Sequence, residues 1–239
     1  MKKLALTLVL LCFTFANAQK KNNRRIKESG VQTTQNRTTE TYDAINAGGS
    51  FKVVLVSGKE GTITIQGDEN IITHIVTEVK NNELHIYFEK NLSITYRSEI
   101  TITVPVETIS GITFAGSGDI VSKTTLNATN FNVKLSGSGD VDIDVNATKI
   151  TASLSGSGDI NISGKTTELE AKVVGSGDID CGKLVSENAT VAVSGSGDLK
   201  VNCTNNLEAK VTGSGTVKYK NKPATMNKTV AGSGEIIAY

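Results

Sequence analysis

The chain of 239 residues has no tryptophan, only two prolines and only two histidines, and 5% of its residues are aromatic. From Tyr42 onwards no stretch shows a convincing helical period, and Val, Ile, Thr and Ser dominate. Such residues favour strands, and alternation of apolar and polar residues is typical of a half-buried strand. The sequence therefore predicts an all-β protein.

Neither sign of charge is in excess. When Lys2 and Lys3 are set aside with the leader described below, 23 basic residues face 24 acidic ones. Beyond residue 41 the only arginine is Arg97. A nucleic-acid-binding surface needs a basic patch, so this balance argues against nucleic acid as a partner.

The sequence also has no apolar run long enough to cross a membrane, which takes about 20 residues. The longest run, at residues 4–15, follows two lysines and precedes Ala16-Asn17-Ala18, a small-residue cleavage site. This pattern predicts a secretory signal peptide at residues 1–18. The mature protein is expected to lack a transmembrane segment and to reside in the periplasm, on the outer surface or outside the cell.

Cysteine is scarce, and only Cys181 and Cys203 remain after processing at this site. An exported protein meets an oxidising compartment, so a disulfide between them is one expectation. They follow the aspartates of neighbouring repeats at different offsets, however, and the resulting shift along the strand would exceed disulfide geometry unless a corner absorbed it. Two thiols with no histidine nearby do not suggest a metal site.

The chain divides into three parts after the leader. Residues 19–41 are polar and basic with almost no apolar periodicity, which predicts a disordered linker. Residues 42–104 alternate as strands with irregular spacing, and residues 105–239 are regular; together they are expected to form one domain. Residues 71–79 fit either a strand or a short helix, and their composition favours the strand.

The regular part repeats the tetrapeptide Gly-Ser-Gly-Asp. A period of 18 to 21 residues in a β-type sequence is typical of a solenoid with one coil per repeat, here about ten coils in all. The motif stands at residues 116–119, 137–140, 156–159, 175–178 and 195–198, with relaxed copies at 213–216 and 232–235.

Period-2 alternation runs through the motif itself. In residues 133–143 the apolar residues and both glycines share one parity, and Ser138 and Asp140 share the other. Both glycines are therefore expected to point inward on a bent strand, with Ser and Asp in solvent. The alternative is a turn that needs a positive φ at each glycine. The same parity assigns a core to Val133, Leu135, Val141, Ile143, Leu154, Ile160, Ile162, Val173 and Ile179.

The chain resembles the bacterial family described as putative auto-transporter adhesin, head GIN domain, which is typical of exported proteins of Bacteroidota. The resemblance rests on the leader, the opening at residues 45–53 (INAGGSFKV), the turn Gly67-Asp68 and the repeated motif, and it covers residues 42–239. It implies a right-handed parallel β-helix and a role in adhesion.

Stacked coils would align the aspartates in one ladder and the serines in another, with neighbouring members of each ladder about 4.8 Å apart. Neighbouring carboxylates at this spacing repel each other, which invites counterions, protonation or a positively charged partner. The alternative is that each aspartate keeps its face soluble or bonds to its own loop. The candidate ligand-face residues are Asp119, Asp140, Asp159, Asp178, Asp198, Ser117, Ser138, Ser157, Ser176 and Ser196.

The sequence gives little support for metal binding or catalysis at these residues. One motif per coil gives too few oxygen ligands for a calcium cage, and no metal or other cofactor is expected. A glycosidase or lyase would break the repeat with a clustered acid or base, whereas this ladder conforms to the repeat. The expectation is a non-enzymatic module that binds cell-envelope or extracellular polymers. The alternatives are a polysaccharide-active enzyme and a purely structural spacer.

Overall fold

Parallel strand pairing dominates residues 24–239, which are the residues that the computed structural model of the protein describes. The strands wind into a parallel β-solenoid of about seven turns, as the repeat predicted. The elements are β1 (Arg24–Lys27), β2 (Gln32–Thr38), β3 (Ala44–Gly49), β4 (Lys52–Ser57), β5 (Thr62–Asp68), α1 (Glu69–Ile72), β6 (Ile75–Lys80), β7 (Glu83–Phe88), β8 (Leu92–Thr95), β9 (Thr101–Val106), β10 (Gly111–Gly116), β11 (Asp119–Gly137), β12 (Asp140–Gly156), β13 (Asp159–Gly175), β14 (Asp178–Gly195), β15 (Asp198–Gly213), β16 (Thr216–Lys220), β17 (Thr225–Gly232) and β18 (Glu235–Ala238).

The long strands β11 to β15 each make one bent coil and contribute to two walls. One wall stacks β9, β4, the first halves of β11 to β15, β16 and β18. The other stacks β7, β3, β10, the second halves of β11 to β15, and β17. The repeated motif stays in register, so Gly137 pairs with both Gly116 and Gly156.

The core lies between the walls and confirms the predicted parity. All nine residues assigned to it from the alternation are at most 2% exposed. Burial of such side chains contributes roughly 1.5–3 kcal/mol each relative to exposure, which makes this column of apolar layers the main stabilising feature of the solenoid.

The order of coils in space departs from the order in sequence. β3 and β4 lie between the coil of β7 and β9 and the coil that starts at β10. Beyond β7 and β9 come the antiparallel strands β6, β5 and β2. The expectation of about ten coils is therefore wrong, because part of the irregular half forms antiparallel strands that cover the first end of the solenoid.

The predicted disordered linker is also wrong for the part that the structure describes. β1 pairs in parallel with β8, and β2 pairs antiparallel with β5 along its whole length. The turn between β1 and β2 is fixed by Asp68, whose buried carboxylate accepts the amides of Ser29 at 3.0 Å and Gly30 at 2.7 Å. Backbone pairing to a free strand edge needs no apolar side chains, so a hydropathy pattern misses it. The predicted signal peptide and residues 19–23 lie outside the described residues.

Residues 71–79 are a helix and then a strand, so the strand prediction holds only for the second part. Asp68 caps α1 by accepting the amide of Asn70 at 3.0 Å, and Ile71 and Ile72 are buried. The strand begins at Ile75. Among residues 24–239, no helix has the length and apolar character needed to span a membrane.

The two glycines of the motif differ in conformation. The first glycine of each copy has φ between +121° and +152°, which is accessible to glycine and strained for other residues. The second glycine has no positive φ and is buried in the copies from Gly118 to Gly215. The Gly-Ser-Gly segment of each motif, which we call the corner, therefore combines both alternatives: a turn at the first glycine, and an inward-facing position at the second.

Candidate ligand face

The aspartates and serines of the motif form the two predicted ladders on the outside of the corner. The Asp ladder consists of Asp119, Asp140, Asp159, Asp178 and Asp198, and the Ser ladder of Ser117, Ser138, Ser157, Ser176 and Ser196. The aspartates open consecutive long strands that pair in register. All five serines are exposed, and the aspartates are exposed or half-buried, so both sets are open to solvent.

Backbone hydrogen bonds between coils hold the corner rigid. The amides of Ser138 and Gly139 both donate to the carbonyl oxygen of Gly116 at 3.0 Å, and the amide of Asp140 donates to Gly118 at 3.1 Å. The same pattern recurs from coil to coil with distances of 2.9–3.3 Å. An added Cβ on Gly139 would overlap the carbonyl oxygen of Gly118, so the close stacking depends on the missing side chain.

Three carboxylates of the Asp ladder also accept a hydrogen bond from the coil that follows. Oδ1 of Asp140 accepts the amide of Asp159 at 3.3 Å, and Oδ1 of Asp159 accepts the amide of Asp178 at 3.3 Å. Oδ1 of Asp178 accepts the amide of Asp198 at 2.7 Å. These side chains therefore help to tie the coils together, in addition to presenting charge to solvent.

A second outward column runs beside the Asp ladder and is not among the candidate ligand-face residues predicted from the sequence. It contains the residues two positions further along each strand, which point to the same side about 7 Å away. A period-2 count from each aspartate would have found them. The column is Val121, Asp142, Asn161, Asp180, Lys200 and Lys218.

Two lysines of the second column form ion pairs at the C-terminal end of the face. Nζ of Lys200 lies 2.7 Å from Oδ2 of Asp180, and Nζ of Lys218 lies 2.8 Å from Oδ2 of Asp198. Burial alone would raise the pKa of Asp198, but the hydrogen bond and charge of Lys218 outweigh it, and the pKa lies below its usual range. The pKa of Asp180 is lowered in the same way, against its burial, by Lys200 and the amide of Gly182.

The other end of the face remains acidic. None of the ion pairs formed within residues 24–239 involves Asp119, Asp140, Asp142 or Asp159. These four line a shallow groove of about 250 Å³ together with Asn161. Partial burial, and then the charges of its two ladder neighbours, raise the pKa of Asp159 above its ordinary value. We call the groove lined by these four aspartates the acidic groove.

A larger groove of about 820 Å³ lies at another corner of the coils. Asn127, Asn146, Thr129 and Thr148 line it, with Lys165 and Glu187 towards one end. The charges of these two residues balance, so the groove is polar without a dominant sign of charge. It presents amide and hydroxyl groups, in contrast to the unpaired carboxylates of the acidic groove.

The two cysteines do not form a bridge. Both thiols are free and buried, and Cys203 pairs in register with Ser186 rather than with a residue next to Cys181. Irregular register between β14 and β15 separates the two positions along the strand. Burial raises the pKa of Cys181 to about 12, and burial also raises the pKa of Cys203.

The histidines lie at the first end of the solenoid, away from the Asp ladder strands. Nδ1 of His74 lies 3.2 Å from Glu89, and Nε2 of His85 lies 3.2 Å from Glu83. Each histidine thus has a local carboxylate partner in the irregular half. Among the described residues, no group of three or more His, Cys, Asp or Glu side chains is arranged to hold a metal ion.

Comparisons with known proteins place this geometry in context. The family described as "Putative auto-transporter adhesin, head GIN domain" matches residues 41–223. A crystal structure of a putative adhesin from Bacteroides fragilis has a TM-score of 0.82 and 28% identity, with 90% of this chain and 100% of that chain covered. No curated protein matches the sequence.

Two further solved structures share the fold at lower identity. A putative lipid binding protein from Parabacteroides distasonis has a TM-score of 0.76 and 24% identity, with 90% of this chain and 100% of that one covered. A putative adhesin from Parabacteroides merdae has a TM-score of 0.69 and 19% identity, with 90% and 99% covered. At these identities the likeness concerns the fold alone.

Proposed function

The chain belongs to the head GIN domain family of putative auto-transporter adhesins, and from that membership we propose that it is an exported, non-enzymatic binding module of the cell envelope. In this proposal the leader at residues 1–18 directs export, and residues 42–239 act as one β-helix domain in the periplasm, on the outer surface or outside the cell. The partner is a polymer of the envelope or the extracellular space, bound at the Ser and Asp ladders.

The observation that carries the proposal is the acidic groove. Its four aspartates lie on three consecutive coils, face solvent and have no cationic partner within the described chain. Carboxylates at this spacing repel each other, so a ligand that brings amino groups or hydroxyl donors at a matching repeat relieves the repulsion. The fixed spacing of about 4.8 Å suits an extended repeating chain better than a compact small molecule.

The rigidity of the corner supports the same reading. The amides of the ladder residues donate to main-chain carbonyls of the neighbouring coil, except the amide of Asp198, which donates to the carboxylate of Asp178. Little conformational freedom is therefore lost when a ligand binds. Individual contacts at an exposed face are weak, and affinity would come from several coils acting together on one chain.

A structural spacer is the second candidate, and the amide-to-carboxylate bonds of the Asp ladder favour it. If those bonds are the whole purpose of the aspartates, an asparagine at each position serves as well, because its Oδ1 accepts the same amide. The two functions therefore differ in their response to the loss of charge at constant shape.

The test is a binding array of glycans, cell-envelope polymers and lipid vesicles probed with the mature protein. The variant Asp119→Asn, Asp140→Asn and Asp159→Asn should fold and lose at least about tenfold in affinity, which corresponds to about 1.4 kcal/mol. The matched control Glu168→Gln, Glu170→Gln and Glu208→Gln removes the same charge from the other wall and should bind normally. Equal binding by both variants would refute the ligand face and leave the spacer.

A further inference from the structure

One column of inward-facing residues ends on a lysine. Each member pairs in register with the next through β10, the second halves of β11 to β15, and β17. The first six members are buried, at no more than 2% exposure, and the last is exposed at the end of the solenoid. The column is Ile112, Val133, Ala152, Ala171, Val191, Ala209 and Lys228.

The side chain of Lys228 lies across the open end of the core. Its Nζ stands 4.4 Å from the ring centre of Tyr219 and 3.1 Å from the Tyr219 hydroxyl oxygen. Tyr219 occupies the inward position that follows buried Val201. Nζ also donates to the carbonyl oxygen of Ile236 at 3.2 Å, so the lysine on β17 reaches β18 in the opposite wall.

The other end of the solenoid carries a similar device. Arg37 on β2 stands opposite buried Ile63 in an antiparallel pair, which places both side chains on the inner side of the sheet. Its guanidinium donates to the carbonyl oxygen of Ile72 at 2.7 Å and to that of Ile75, and it contacts Oε1 of Gln35 at 3.1 Å. A cation on the terminal strand thus spans the core at each end.

The terminal coil would otherwise be a suitable docking edge. β17 and β18 pair on one side only within the described chain, which leaves backbone groups of both strands free. Val230, which follows buried Val211 in register, is 46% exposed. Every coil already matches the outline of its neighbour, so the surface that fits this edge best is the terminal coil of a second copy of the same chain.

We propose that Lys228 and Arg37 are end plugs that stop the solenoid from stacking coil-on-coil with a second copy of the chain. Stacking at the C-terminal edge would bury the Lys228 ammonium group between two apolar layers, and burial of an unpaired charge is strongly unfavourable. Inward-pointing charges are a known means by which strand edges avoid pairing with other chains.

The test replaces Lys228 by the residue that precedes it in the column. Lys228→Ala copies Ala209, and Lys228→Met keeps the length of the side chain without the charge. The molar mass of the mature protein is measured by light scattering across a concentration series. Wild type and Lys228→Arg should keep one mass throughout, whereas Lys228→Ala and Lys228→Met should rise towards twice that mass. Lys210→Ala, an exposed lysine on the preceding coil, should behave like wild type.

A rescue variant locates the association. Val230→Lys, added to Lys228→Ala, restores an inward charge two residues along the same strand and should return the mass to that of wild type. The double variant Arg37→Met and Lys228→Ala opens both ends and should form species larger than a dimer. Circular dichroism of each sample confirms folding. A folded Lys228→Met or Lys228→Ala protein that keeps the wild-type mass at every concentration overturns the proposal, as does a failure of the Val230→Lys rescue.

Discussion

The main-chain amide of Asp159 donates to the carboxylate of Asp140 in the preceding coil, with 3.3 Å between N and Oδ1. The same amide also lies 3.2 Å from the carbonyl oxygen of Gly139, so it is shared between a backbone and a side-chain acceptor. The carboxylate consequently has one oxygen engaged within the solenoid, and the other is available to solvent or to a ligand. One side chain can therefore serve both coil stacking and recognition.

Substitution of the aspartates by alanine or asparagine should separate these two roles. In Asp140→Ala, Asp159→Ala and Asp178→Ala, three coil-to-coil acceptors are lost at roughly 0.5–1.5 kcal/mol each, and the melting temperature should fall. The triple asparagine variant keeps Oδ1 as an acceptor and loses the like-charge repulsion, so it should melt no lower than wild type. Thermal melts of both variants decide the matter, and equal losses for Ala and Asn would mean that charge rather than hydrogen bonding stabilises the ladder.

Single asparagine substitutions at two ladder positions should respond to pH with opposite sign. The raised pKa of Asp159 means that its contribution to stability is complete below the ordinary carboxyl pKa and is lost as pH rises. Asp159→Asn should therefore melt higher than wild type at neutral pH, with the gain vanishing below about pH 4.

The lowered pKa of Asp198 has the reverse consequence. Its stabilisation is present above the ordinary carboxyl pKa and is lost as pH falls, so Asp198→Asn should melt lower than wild type at neutral pH and equal to it in acid. Melting curves between pH 3 and pH 7 measure both variants. Shifts of the same sign for the two would show that Lys218 does not decide the difference.

The inward glycine of the corner should tolerate no side chain. A Cβ on Gly139 would lie 2.8 Å from Cε1 of Phe114 and would overlap the carbonyl oxygen of Gly118, so Gly139→Ala should cost about 3 kcal/mol. The matched control is Ser138→Ala, one residue away and exposed, which should change stability by less than about 0.5 kcal/mol. Chemical denaturation compares the two, and equal effects would contradict the inward assignment.

Asp68 should act as the anchor of the N-terminal strands. Its carboxylate is fully buried and accepts the amides of Ser29, Gly30 and Asn70, so Asp68→Ala should cost about 3 kcal/mol. Although burial opposes ionisation, these hydrogen bonds lower the pKa of Asp68, so its stabilisation is present at neutral pH and is lost in acid.

Limited proteolysis gives a local readout of this anchor. Trypsin should cut β1 in the Asp68→Ala variant at a concentration that leaves wild type intact, because β1 and the turn after it lose their attachment. Glu69→Ala, which removes an exposed neighbouring carboxylate, should be cut like wild type. Unchanged resistance of Asp68→Ala would show that strand pairing alone holds the segment.

The two buried thiols should be inert in the folded protein. Burial raises the pKa of Cys181 to about 12, and the thiolate is the reactive form. Iodoacetamide at mildly alkaline pH should leave the native mature protein unmodified and should label both cysteines after unfolding in denaturant without reductant. Mass spectrometry detects the difference, and an unlabelled protein under denaturing conditions would reveal a disulfide.

The sequence predicted the repeating part well because the alternation within each coil defines its inner and outer sides. The alternation of Leu154, Gly158 and Ile160 marks the inner side of this coil, and the same pattern returns in each copy of the motif. Parallel stacking then follows, since an identical coil is the best match for an identical coil. The positions of the Asp and Ser ladders and of the core residues needed no further information.

The tertiary structure decided what local pattern does not encode. The strand β2 is polar on both sides, and only the free edge of β5 gives its backbone a partner, so no hydropathy signal could reveal it. The ion pairs of Lys200 and Lys218 join residues 20 positions apart and give Asp180 and Asp198 cationic partners at one end of the face, whereas no ion pair among the described residues reaches the acidic groove at the other end. The inward position of Lys228 likewise appears only when its strand is laid in register on Ala209. The alternation of apolar and polar residues can be read within one strand. The ion pairs of the ligand face and the residues that cover the ends of the solenoid depend on which strands become neighbours.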